Sequence, residues 1–196
     1  MEKLISHRGI FDKNTKENSY KAIKKALDSD NYLGVEFDVR ETIDNELIIY
    51  HNALYNNKLI SKTRYNELPK YVPRLDDILK IDSNKIFLIE IKDINNYDNF
   101  LNIINKYCDK NIYIMSFSNR VIEKINKENR CYKIGVLNYI LNTSEFTKEL
   151  DFVGILNSLL NDDLISNLKG IEIFSYGLFD KKKFKDIYYI VDDKKD

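Results

Sequence analysis

The chain is poor in the residues that most often carry chemistry or covalent structure. Its 196 residues include two histidines, two cysteines, two prolines and no tryptophan. Cys108 and Cys131 make neither a disulfide framework nor a metal motif, and neither has a histidine beside it. Thiols of this kind predict a reducing, cytoplasmic setting. An excess of charge is also lacking: Lys+Arg and Asp+Glu both number 31. No global basic field argues for nucleic acid or for an anionic membrane surface. The only basic run, Lys181-Lys182-Lys183 with Lys185, is followed by acids and reads as a solvated helix face. No apolar run approaches the roughly 18 residues of a membrane span. Met1-Glu2-Lys3 leads straight into a strand-like Leu4-Ile5, without the apolar core of an export signal. Neither export nor stable membrane insertion is therefore expected.

Hydrophobic residues make up 43% and charged residues 32% of the chain. That composition and length predict one globular domain over residues 1–196. The most informative stretch runs from Val35 to His51. Val35, Phe37 and Val39 alternate with Glu36 and Asp38, a period-two pattern that predicts a strand with two carboxylates on one face. Asp44-Asn45-Glu46 reads as a turn and Leu47-Ile48-Ile49-Tyr50 as the returning strand of a hairpin. His51 lies about as far past that turn as Asp38 lies before it, so pairing would make them near neighbours.

Around this hairpin, strand-like and helix-like segments alternate. Leu4 to His7 predicts a first strand, and Tyr20, Ile23, Ala26 and Leu27 place a helix over Glu17 to Asp30. A polar stretch from Asn56 to Tyr71 reads as loop with one turn of helix, followed by a short helix from Leu75 to Leu79. Further strands are expected at Ile86–Ile91, Ile112–Met115, Tyr132–Leu137, Phe152–Leu156, Ile171–Phe174 and Ile187–Val191. The intervening helices are expected at Tyr97–Cys108, Asn119–Asn126, near Ser144–Glu149, at Leu159–Leu168, and as a turn at Lys181–Lys185. Eight strands of parallel type predict a compact α/β (β/α)8 TIM barrel with a β-hairpin after strand 2 and no final helix. An open doubly wound sheet is the alternative.

In such a barrel the site lies at the carboxyl ends of the strands. His7 and Arg8 end the first strand there, Glu36 and Asp38 belong to the second, and the hairpin returns His51. Glu90 and Lys92 share one face of the third strand, while Ser116, Tyr176 and Asp192 end later ones. Buried carboxylates cost several kcal/mol each unless paired or bound to a metal. Glu36, Asp38 and Glu90 facing one cavity therefore predict a divalent cation. An all-oxygen donor set favours Mg²⁺ or Ca²⁺. His7 and His51 suit acid and base work, and Arg8 and Lys92 suit a phosphate. Ser116 reads as structural, Asp192 and Asp193 as a polar tail. Tyr176 reads as pocket wall or core, and Glu17 as either a helix-start residue or a site residue.

These residues resemble the glycerophosphodiester phosphodiesterase family. The matching pieces are His7-Arg8-Gly9, Glu17-Asn18-Ser19, Gly34-Val35-Glu36-Phe37-Asp38-Val39-Arg40 and His51. Pro73-Arg74-Leu75-Asp76-Asp77-Ile78-Leu79, Leu88-Ile89-Glu90-Ile91-Lys92 and Met115-Ser116-Phe117 follow in order. The resemblance covers the first 120 or so residues best. It implies a (β/α)8 barrel that cleaves a phosphodiester with one bound divalent metal. Glu36, Asp38 and Glu90 match the metal ligands, His7 and His51 the acid/base pair, Arg8 and Lys92 the phosphate contacts, and Glu17 a polar residue near the site.

The chain departs from the family at Asn52, where the family has Asp, and in the short segment between His51 and Pro73. It also has Phe174-Ser175-Tyr176 in place of a Trp-Thr pair. The implied substrate is a small glycerophosphodiester-like molecule of glycerophosphocholine, lyso-phospholipid, or sugar- or teichoic-acid type. The alternatives are a catalytically weak relative that binds a phosphoester and a lyase that releases a cyclic phosphate.

Overall fold

A computed structural model describes residues 2–138, 150–177 and 184–192. Strand β1 (Lys3–His7) leads through helix α1 (Tyr20–Asp28) to β2 (Gly34–Glu41), which turns back as the antiparallel β3 (Leu47–Ile49). A two-stranded ribbon, β4 (Leu54–Tyr55) and β5 (Lys58–Leu59), comes next, then 3-10 turns at Ile60–Lys62 and Tyr65–Glu67 and helix α2 (Leu75–Leu79). The chain continues with β6 (Ile86–Asp93), α3 (Tyr97–Ile104), β7 (Asn111–Ser116), α4 (Asn119–Ile125) and β8 (Lys133–Asn138). It ends with β9 (Phe152–Leu156), α5 (Asp162–Asn167), β10 (Glu172–Tyr176) and β11 (Tyr188–Val191).

β1 pairs in parallel with both β2 and β11, so eight parallel strands close into a barrel. Closure rules out the open doubly wound sheet. The strand alternation divides the apolar residues into two sets. Val35, Phe37, Val39, Phe87, Ile89 and Ile91 point outward and pack with the helices in the larger core. Ile5, Leu88, Tyr113, Phe152, Phe174 and Ile190 belong to a second cluster that fills the lumen. Glu36, Asp38 and Glu90 occupy the inward alternate positions and rest on that apolar floor.

Three local differences from the sequence reading have physical causes. Helix α1 begins at Tyr20, because Asn18 adopts φ 57° and Ser19 caps the first turn by accepting from the Ala22 amide. Glu17 therefore lies in the loop ahead of the helix. The stretch read as loop with one helical turn contains the β4–β5 ribbon, whose Asn56-Asn57 turn has positive φ at both residues. It also has its own small core of Ile48, Ile60, Leu68 and Val72. Helix α5 starts late, at Asp162, with Asn161 as its cap. The helix expected near Ser144–Glu149, most of the turn at Lys181–Lys185, and Asp193 lie outside the described residues.

The expectation for the cysteines is corrected. Cys108 and Cys131 form a disulfide across a sequence separation of 23. The 3-10 turn at Asn105–Tyr107 brings Cys108 to the amino end of the barrel, and Cys131 sits just before β8 at the same end. The pairing removes the ground on which a reducing compartment was expected. No helix among the described residues is long and apolar enough to cross a membrane.

Closing a loop of this length stabilises the fold by about 3 kcal/mol in the chain-entropy account. Cys108→Ser combined with Cys131→Ser is expected to lower the unfolding free energy by about 2–4 kcal/mol, measured by urea denaturation. An unchanged midpoint in the double variant would contradict the pairing.

Candidate active site

The site forms where β1, β2, β3 and β6 meet. Register places His7 beside Glu36 and Asp38 beside Glu90. Tyr50 donates its amide to the Asp38 carbonyl, which brings His51 back to the same level. Arg40, at the outer end of β2, then donates from Nε and Nη2 to the His51 carbonyl at 3.0 and 2.8 Å. The hairpin is thus pinned at the residue whose side chain enters the site.

Glu36, Asp38 and Glu90 are all buried, and one oxygen from each lies within 4.8 Å of the others. The Glu36 carboxylate receives the Arg8 amide at 3.2 Å on Oε2, while its Oε1 accepts nothing. Asp38 Oδ2 accepts from Asn18 Nδ2 at 2.7 Å. Asp38 Oδ1 and Glu90 Oε1 lack a well-aligned hydrogen bond and face only the Lys92 ammonium, at 3.3 and 2.5 Å. Arg8 Nε stands 3.3 Å from Asp38, and its Nη1 donates to both oxygens of Glu17 at 3.2 Å.

These contacts set the electrostatics. Burial, reinforced by the neighbouring Asp38 and Glu90 charges, holds the Glu36 carboxyl well above the usual carboxylate range. Burial also raises Glu90, against the pull of Lys92. Burial would lower Lys92 and Arg8, but the facing carboxylates outweigh it and raise both. Fully ionised, three carboxylates would outnumber the two cations and make a poor receptor for a phosphodiester. Buried, converging carboxylate oxygens fit a hard divalent cation, which would reverse the sign of the site.

The two histidines flank the carboxylates but have unlike partners. His7 Nδ1 lies 2.6 Å from Asp192 Oδ1, and its Nε2 is 3.8 Å from Glu36. His51 Nδ1 lies 3.1 Å from Asn52 Oδ1, a neutral amide oxygen. Burial lowers the His51 imidazole, and the Asp38 charge and the Asn52 contact oppose that only in part.

A cavity of about 180 Å³ opens over this group, and His7, Arg8, Glu36, His51, Glu90 and Lys92 line it together with Phe117 and Tyr176. It is smaller than a typical drug-sized pocket. Tyr176 is a wall: its hydroxyl donates to the Asn138 carbonyl and its ring meets Phe117 edge to face at 5.9 Å. Ser116 ties β7 to β6 by donating to the Ile91 carbonyl. Every residue singled out in the sequence for metal, acid/base or phosphate work lies in this one place.

Two residues were missed. Asp192 reaches His7 because β1 and β11 pair with Ser6 opposite Val191. That long-range register leaves no local mark in the sequence. Asn18 was visible inside Glu17-Asn18-Ser19, where a buried amide in a left-handed turn could have been suspected.

A family model described as the glycerophosphoryl diester phosphodiesterase family matches residues 7–171. The chain belongs to that family. Its members are phosphoric diester hydrolases, and this chain is an enzyme of that class. A comparison with curated proteins finds no match.

Among solved structures, a glycerophosphodiester phosphodiesterase from Parabacteroides distasonis is similar with a TM-score of 0.80 at 20% identity, over 96% of this chain and 92% of that one. One from Thermotoga maritima gives a TM-score of 0.79 at 23% identity, over 97% and 94% of the two chains. A phosphodiesterase from Oleispira antarctica, in complex with the product sn-glycerol-3-phosphate, gives 0.77 at 16% identity, over 92% and 86%. At these identities the likeness bears on the fold, and all three share the closed barrel.

The raised Glu36 carboxyl has a consequence for stability. Its folded-state value lies above the ordinary 4.5, so the folded chain binds this proton more tightly than the unfolded chain. Stability of the metal-free protein therefore falls as pH rises from 4.5 through the folded-state value. Glu36→Gln removes that charge and is expected to stabilise the metal-free protein by about 1–3 kcal/mol at pH 8. The gain should shrink towards pH 5. Urea denaturation in EDTA at both pH values measures it, and a variant less stable than the wild type at pH 8 would contradict the buried-charge account.

Proposed function

We propose that residues 1–196 act as a single barrel domain that hydrolyses small glycerophosphodiesters with one divalent cation, Mg²⁺ or Ca²⁺, by two-histidine acid/base catalysis. The observation that carries this reading is the convergence of Glu36, Asp38 and Glu90 between two histidines and two phosphate-seeking cations. Glu36, Asp38 and Glu90 would hold the ion, which when bound supplies Lewis-acid neutralisation of charge on the phosphoryl oxygens.

The remaining work falls to the chain's own side chains. Arg8 and Lys92, released from the carboxylates, hold non-bridging oxygens and orient the phosphorus between the imidazoles. The partners of the histidines divide the proton transfers. Burial favours the neutral His51, and with Asn52 Oδ1 accepting from Nδ1–H the lone pair is on Nε2, so His51 takes the proton from the attacking water. Asp192 Oδ1 holds the His7 ring at Nδ1 and leaves Nε2 facing the site, from which His7 gives a proton to the leaving alkoxide. The Phe117–Tyr176 wall and the small cavity limit the alcohol to a short one such as glycerol. The glycerol phosphate product bound to the Oleispira antarctica relative agrees with that size.

The reaction class is checked with glycerophosphocholine, a lyso-phospholipid and glycerophosphoglycerol, followed by phosphorus NMR with EDTA and after adding Mg²⁺ or Ca²⁺. Turnover should vanish in EDTA, return with the cation and end at a phosphomonoester. A persistent cyclic phosphate would make the chain a lyase. Phosphoester binding without turnover of any diester would leave only a binding function.

The histidine roles have their own test. His7→Ala and His51→Ala are each expected to lower turnover by about 10²–10⁴-fold with thermal unfolding unchanged. Asp192→Asn should lower it less, whereas Asn52→Asp should keep or raise it. Near-normal turnover in either histidine variant would refute the mechanism.

A further inference from the structure

Among the described residues seven large hydrophobic side chains are exposed, and their placement is lopsided. Six lie on segments that leave the carboxyl ends of the barrel strands: Tyr20 entering α1, Ile43 on the β2–β3 turn, Leu54 and Leu59 on the ribbon, Tyr71 after it and Phe117 after β7. Only Leu33 sits at the amino end, just before β2. Leu54 and Leu59 are cross-strand partners, 48% and 41% exposed, three and eight residues past His51. Phe117 also lines the catalytic cavity.

Charge is arranged at the same end. Lys16, Lys21, Lys62 and Lys70 are exposed and make no ion pair among the described residues. The nearby acids are largely committed: Glu46 to Arg74, Glu67 to Lys58 and Asp76 to Lys80. An open groove of about 800 Å³ contains Lys16, Lys21 and Lys70 interleaved with Tyr20 and Tyr71, with Asp77 the one acid on its walls. Glu17 stands between groove and site, its carboxylate on Arg8 and its neighbour Lys16 in the groove.

We propose that the carboxyl end of the barrel docks peripherally on an anionic lipid surface. The ribbon leucines would enter the headgroup layer, and the lysine–tyrosine groove would lie against lipid phosphates. Tyrosines favour the membrane–water boundary, lysines keep their charge in the aqueous layer above their apolar stems, and dispersed apolar side chains bind reversibly without spanning. Unpaired lysines interleaved with aromatics, with Asp77 the one acid on the groove walls, complement anionic headgroups better than they complement a protein surface. Docked this way, the cavity mouth beside Phe117 faces the bilayer. The inference does not depend on turnover.

The test is co-sedimentation with large vesicles of phosphatidylcholine alone and of phosphatidylcholine with 30% phosphatidylglycerol (roughly, a surface of several negative charges per footprint), in low and physiological salt. The wild type should bind the anionic vesicles and lose binding as salt rises, with little binding to neutral ones. The double variant Leu54→Ser, Leu59→Ser and the triple variant Lys16→Gln, Lys21→Gln, Lys70→Gln should each bind at least about tenfold less tightly, since each lysine near the surface contributes about five-fold. Leu33→Ser, at the opposite end, should bind like the wild type, and thermal melts confirm that each variant folds.

Absence of wild-type binding at low salt, or equal loss in Leu33→Ser, would overturn the proposal. Sedimentation velocity showing a dimer that dissociates in the leucine double variant, without vesicle binding, would assign the face to a second copy of the chain.

Discussion

The structure depends on keeping three carboxylates out of water on an apolar floor. Each buried ionised acid costs several kcal/mol if unaided, and here Glu36, Asp38 and Glu90 also repel one another. The surrounding features answer that cost. The left-handed turn at Arg8 and Gly9, φ 56° and 83°, aims the Arg8 amide at Glu36. Its tightness requires a glycine, because a Cβ at position 9 would lie 2.5 Å from the Ala22 carbonyl carbon. A second left-handed residue, Asn18, turns its amide group onto Asp38. Lys92 neutralises two acids at once from a half-buried position. What these devices leave unsatisfied is a set of oxygens converging on one point, so the same residues whose burial is costly are the ones that would hold a cation.

The two histidines show how a second layer differentiates identical side chains. His7 rests on a carboxylate and His51 on an amide, although each imidazole sits beside the same acids. A carboxylate partner stabilises the imidazolium, whereas an amide oxygen orients the ring without adding charge. In the proposed mechanism Asn52 would separate the two roles more sharply than two carboxylate partners would.

Much of this was legible in the sequence where the physics is local. Alternation along Val35–Val39 and Leu88–Lys92 shows which side chains share a face, and the turn at Asp44-Asn45-Glu46 shows that His51 returns to Asp38. Both features need only strand geometry and a short loop. Features set by long-range register were not legible. Asp192 looked like a polar tail because a closed barrel sets the last strand beside the first but nothing in the sequence fixes the register that puts Ser6 opposite Val191. Cys108 and Cys131 looked unpaired because their meeting depends on two neighbouring strands starting at one end of a closed barrel. The β4–β5 ribbon was hidden by polar side chains at the edge of a small separate core. Tyr20 kept helical spacing with Ile23 and Leu27, yet it faces solvent because the helix begins at that residue and its first turn overhangs the groove.

Equal numbers of acids and bases conceal an uneven distribution. At the amino end the disulfide restrains the chain, and the charged groups there are joined in pairs such as Arg130–Asp151 and Lys133–Glu172. At the carboxyl end three acids are buried inside the site and others, such as Glu46 and Glu67, are tied up in ion pairs, while several lysines are left facing solvent. Burying acids removes negative charge from the surface without removing it from the composition. A neutral chain can therefore carry a basic face at the mouth of an acidic cavity. For a phosphodiester that arrangement has a direction: the anion is attracted to the rim, and it can enter the pocket once the carboxylates there are neutralised. Net charge describes how the whole chain behaves in a distant field, whereas binding at the mouth is decided within about a Debye length, roughly 10 Å at 0.1 M salt. Within that range the buried acids and the exposed lysines do not cancel.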